Sequence, residues 1–65
     1  MLGDNIRKLR KLIGLKQSEL AEKTGVHQKD ISRWENGERI PNATSLSKLA
    51  KALQCTLDDL IREGE

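Results

Sequence analysis

The chain has 65 residues and a formal net charge of +2; 35% of its residues are apolar and 34% charged. That length is expected to form one domain over residues 1–65, with a small core and no room for a second folding unit. One cysteine excludes an intrachain disulfide or a cysteine-cluster zinc site, and one histidine with no convergent acid pair argues against an enzyme.

Leu, Ile, Ala, Lys and Glu dominate, Phe and Tyr are missing, and the apolar positions keep helical spacing, so the fold class is read as all-α. The first helix is predicted from about Asp4, as N-cap, to Ile13, with Gly14 as its stop. Leu2, Ile6, Leu9 and Ile13 share its inner face. Arg10 lies about 40° from Ile6 and borders that face. A cation drawn inward there needs a partner. Glu35 is the candidate, and an Arg10–Glu35 ion pair is expected to lock the first helix to the third. Arg7, Lys8 and Lys11 are read as solvated.

The second helix is predicted over Gln17–Thr24 and the third over Gln28–Asn36, with Gly25 and Gly37 as their stops. Leu20 supplies a core knob, and Ala21 is small where the two axes would cross. Two short helices around one glycine, the second with a polar outer face, match a helix-turn-helix DNA reader. At about 100° per residue, Lys29, Ser32, Arg33 and Asn36 fall within about 140° of Gln28, while Ile31 and Trp34 fall opposite. Trp34 is therefore read as core. Gln28, Lys29, Ser32 and Arg33 carry the donors and acceptors that match base edges. Gln17 opens the second helix, where free backbone N–H groups favour phosphate. Asn36, Arg39 and Asn42, around the next loop, are further candidates for phosphate contact.

A fourth helix is predicted over about Ser45–Gln54, with Leu46, Leu49, Ala50 and Leu53 on one face. Thr56 followed by Asp59 reads as a capping box for a short fifth helix carrying Leu57, Leu60 and Ile61. Cys55 is read as a small buried hydrophobe. Charge is uneven: residues 1–42 hold nine Lys/Arg against six Asp/Glu, residues 43–65 three against four. No signal peptide and no membrane-spanning run is seen, so a reducing, cytoplasmic or nuclear setting is expected.

The segments Ile6-Arg7-Lys8-Leu9-Arg10, Gly14 to Ala21, Ile31-Ser32-Arg33-Trp34-Glu35-Asn36-Gly37, Pro41, Leu46 with Leu49 to Leu53, and Leu57 to Leu60 together resemble the phage repressor and Cro family, also called the xenobiotic-response-element family. The resemblance runs from Ile6 to Ile61. It implies a five-helix, lambda-repressor-like bundle that binds operator DNA as a homodimer and regulates transcription, most often as a repressor. It implies a prokaryotic or phage protein, cytoplasmic and nucleoid-associated when bound, with no cofactor. Gln17 would bind phosphate and help hold Gln28. Gln28, Lys29 and Arg33 would face bases, with Ser32 nearby. His27, where relatives often carry a small hydroxyl residue, would approach a base or phosphate. Dimer contacts would come from the fourth and fifth helices, through Leu57, Asp58 and Ile61. The same resemblance extends to antitoxins and coactivator-like proteins, so a protein-interaction module is the competing expectation.

Overall fold

The computed structural model describes residues 2–62. Five helices follow in order: α1 (Leu2–Leu12), α2 (Gln17–Thr24), α3 (Gln28–Glu35), α4 (Ala43–Ala52) and α5 (Leu57–Ile61). None is long enough to be stable alone in water, so tertiary packing holds them. α3 packs on α1 and α2, α4 on α2 and α5, and α5 returns to α1. Ile6, Leu20, Ile31, Leu49, Leu53 and Leu60 meet in the middle, with Ala21, Trp34 and Ala50 around them. Each helix thus sends at least one large aliphatic side chain into one shared core. Trp34 is buried beside Ile31, as the helical angles require.

α2 has the predicted bounds because both of its ends are written locally. The Glu19 carboxylate accepts the Lys16 backbone N–H at 2.7 Å. Gly25 takes φ +76°, a left-handed turn in which any Cβ is strained. At α5, Thr56 Oγ accepts the Asp59 N–H at 3.0 Å and the Asp59 carboxylate accepts the Thr56 N–H at 3.1 Å. Hydrogen bonding to the carboxylate, first from the Thr56 backbone N–H and then from the Thr56 hydroxyl, holds the Asp59 carboxyl below the usual carboxylate range.

Five boundaries differ from expectation. α1 is already helical at Leu2, so Asp4 is not its N-cap but an acid in its first turn, where the dipole favours it. The cause is tertiary. Gly3 presses on the end of α3, and a Cβ there would collide with the carbonyl oxygens of Trp34 and Glu35. α1 also ends at Leu12, which leaves Ile13 outside the helix and partly exposed. α4 starts at Ala43 and not Ser45, because the Asn42 side chain accepts the Ser45 N–H at 2.8 Å and caps the helix two residues earlier. α4 ends at Ala52, and Gln54 adopts φ +58° in the turn that follows. α3 stops at Glu35, with Asn36 as its C-cap.

Cys55 is half-buried against the core. Burial, and then the nearby Asp59 charge, push its thiol pKa up. No helix among the described residues is long and apolar enough to cross a membrane.

Candidate nucleic-acid interface

The outer face of α3 follows from what its inner face must do. Burial of Ile31, Trp34 and Glu35 turns Gln28, Lys29 and Arg33 outward, and all three are exposed. Their side chains make no hydrogen bond to other described residues, so their donors and acceptors remain free. Ser32 sits at the edge of this face and is half-buried. His27 occupies the N-cap position of α3, exposed and without a capping bond from its side chain.

α3 is fixed at its far end by a single carboxylate. Glu35 Oε2 accepts from Arg10 Nε at 2.6 Å, and Glu35 Oε1 accepts from Arg10 Nη2 at 3.0 Å. This is the two-bond fork that a guanidinium forms with a carboxylate. Gln17 Nε2 donates to the same Oε1 at 3.0 Å, and Arg7 Nε does so at 3.4 Å. Arg10 Nη1 meanwhile donates to the Leu15 carbonyl at 2.9 Å, in the turn between α1 and α2. One carboxylate therefore ties α1, α2 and α3 together. Burial pushes the Glu35 pKa up, but the hydrogen bonds from Arg10 and Gln17, the Arg10 charge and the Arg7 bond together hold it below the usual carboxylate value.

The structure brings Arg10 and Glu35 together. Gln17 turns toward Glu35, and no hydrogen bond joins it to Gln28 among the described residues. Only one Nε2 hydrogen of Gln17 is used, so the other remains free. Asn36 uses its oxygen for Arg7 Nη2 at 3.0 Å and one amide hydrogen for Ser32 Oγ at 3.4 Å. Asn42 uses its oxygen to cap α4 and keeps both amide hydrogens. Arg39 is exposed on the α3–α4 loop. Each of these four residues therefore retains at least one N–H donor, which is what a phosphate oxygen accepts.

Arg7 is the residue that sequence reading missed. It is not a merely solvated cation, because its guanidinium bridges Glu35 and Asn36. The available signal was its position one turn before Arg10, on the side that meets α3.

A family model described as helix-turn-helix matches residues 6–60. Among curated relatives, repressor protein C2 of Salmonella phage P22 is 40% identical over 62 residues, covering 95% of this chain and 29% of the repressor. Control protein C.SmaI of Serratia marcescens is 37% identical over 65 residues, covering 98% of this chain and 77% of the relative. Among solved structures, the P22 c2 repressor in complex with a synthetic operator superposes with a TM-score of 0.90 at 40% identity, covering 95% of this chain and 94% of that one. The chain thus spans under a third of the length of the P22 repressor.

Proposed function

The chain belongs to the helix-turn-helix family, and from that premise we propose that it binds double-stranded DNA in sequence-specific fashion as a small transcriptional regulator, most simply a repressor. The observation that carries this reading is the outer face of α3, where Gln28, Lys29 and Arg33 are exposed and their side chains make no hydrogen bond to other described residues. A helix enters the major groove, and these side chains match its donors and acceptors: Gln to adenine, Arg or Lys to guanine. Ser32 and His27 flank them. Gln17, Asn36, Arg39 and Asn42 contact phosphates and set the register of α3 on the duplex. The N-termini of α2 and α4 add helix-dipole attraction at the same oxygens.

Binding as a homodimer fits the dimensions. The described residues span at most 28 Å, within the roughly 34 Å that separates half-sites one helical turn apart. Leu57 and Ile61 are exposed on α5, and they supply the apolar contact between copies. Residues 1–65 act as one DNA-binding unit in the cytoplasm, by occupancy and not by catalysis.

Selection from a random duplex library at about physiological salt tests this reading, because nonspecific phosphate binding is weakened there. Enrichment of a palindrome with half-sites about one turn apart is expected. Weak, salt-sensitive binding without enrichment would overturn it in favour of a protein-interaction module.

A further inference from the structure

We propose that Arg7 is a positioning residue for DNA reading: by holding the Asn36 oxygen it turns the Asn36 amide toward Ser32, which leaves the Ser32 hydroxyl hydrogen to donate to an acceptor on a base edge. This rests on the DNA-binding reading above and specifies one contact within it.

The argument is an inventory of donors. A guanidinium has five N–H groups and no acceptor. The Asn36 atom that faces Arg7 Nη2 at 3.0 Å must therefore be the oxygen. The amide nitrogen lies on the other arm of the same carboxamide and points at Ser32 Oγ, 3.4 Å away. Arg7 is itself held by Glu35, so the relay begins at the buried end of α3 and finishes on its reading face.

A serine hydroxyl has one hydrogen and two lone pairs. The Asn36 N–H takes one lone pair of Ser32. In a helix, the hydrogen of such a hydroxyl often goes back to the carbonyl one turn earlier. Thr24 does this in α2, donating to the Leu20 carbonyl at 2.8 Å. Ser32 makes no such bond among the described residues, so its hydrogen is unspent. In the major groove, guanine N7 and O6, adenine N7 and thymine O4 accept, whereas the cytosine edge offers an amino donor. The second lone pair of Ser32 can still accept a cytosine amino hydrogen, but the hydroxyl hydrogen then stays unspent, so at the base that Ser32 faces the chain favours an acceptor edge over cytosine. Without Arg7 the carboxamide is free to flip, Ser32 meets an oxygen, and its hydrogen is drawn inward.

The test compares the wild-type chain with Ser32→Ala, Arg7→Ala and Arg7→Lys on a duplex library at two salt concentrations, with thermal melts alongside. Ser32→Ala should erase the preference at one operator position. Arg7→Ala should weaken the preference at that same position by about three- to tenfold, roughly what one hydrogen bond is worth. Arg7→Lys, whose ammonium also only donates, should retain it even if its melting temperature falls. The proposal is overturned if Ser32→Ala alters no base preference. It is overturned equally if Arg7→Ala weakens all duplexes alike while the salt slope drops by about 1, since that marks a phosphate contact. Failure of the wild-type chain to enrich any sequence is seen before the variants are compared, and it removes the DNA-binding reading itself.

Discussion

Replacing Glu35 with alanine removes the acceptor that three donors share. The Glu35 side chain is fully buried and that of Arg10 is 9% exposed. After the substitution Arg10 loses its 2.6 Å and 3.0 Å bonds and keeps only the Leu15 carbonyl. Arg7 is 41% exposed and recovers water at little cost, so the penalty falls on Arg10. Breaking a buried ion pair from one side costs about 3–5 kcal/mol. A domain of this size has a total stability of only about 3–10 kcal/mol. Each kcal/mol moves the melting temperature by about 4–8 °C in domains of 60–100 residues. Glu35→Ala should therefore lower it by at least about 12 °C, read by far-UV circular dichroism, with a parallel loss in urea. Arg10→Met should cost less, because Glu35 then keeps Gln17 and Arg7. The double variant Arg10→Met with Glu35→Leu should recover much of the loss, as buried pairs replaced by apolar residues often do. A shift below about 4 °C for Glu35→Ala, or a double variant no more stable than Glu35→Ala, would refute this reasoning.

The Glu35 carboxyl has a lower pKa in the folded chain than when unfolded, so it adds stability above its unfolded value and loses it as pH falls through the folded one. Melting temperature should accordingly decline below about pH 4.3, the ordinary Glu range, and the decline should be shallower in Glu35→Gln. Gln54 holds φ +58° after α4, a conformation that suits glycine, so in urea titration Gln54→Gly should raise stability by about 1 kcal/mol, because relief of about 1–2 kcal/mol of left-handed strain exceeds the cost of about 0.4–1 kcal/mol that glycine adds in unfolded-chain entropy. Arg39→Ala should weaken all duplexes about equally and reduce the salt slope by about 1, whereas Arg33→Ala should cost about 1–3 kcal/mol only where the base it contacts is retained. Electrophoretic mobility shift at several salt concentrations distinguishes the two.

Features written within a few residues were legible in the sequence. The bounds of α2, the Thr56–Asp59 box and the inward face of Ile31 and Trp34 all follow from local chemistry. What was not legible depended on partners far along the chain. The start of α1 is set by the seat of Gly3 on the Trp34 and Glu35 carbonyls, more than 30 positions away. Arg7 finds its partners 28 and 29 residues downstream, so spacing within its own helix described it only as a charge near the surface. Asn42 shows a different difficulty. Its carboxamide suits a helix cap as well as a phosphate, and the cap is spelled by Ser45 three residues later. Gln17 was expected to steady Gln28, and instead the shared carboxylate of Glu35 draws its amide inward.

Gln28, Lys29 and Arg33 contribute no side-chain hydrogen bond to the rest of the described fold, while the buried contacts that orient α3 attach at Ile31, Trp34 and Glu35. On the proposed reading, recognition and folding draw on separate letters of one eight-residue word. The three outward letters can be exchanged with little effect on the melting temperature, so, if they read bases as proposed, closely related chains can diverge in the DNA they address while inheriting the same scaffold. Grafting another outward triplet onto these positions is then a matter of retargeting, with no need to redesign the core.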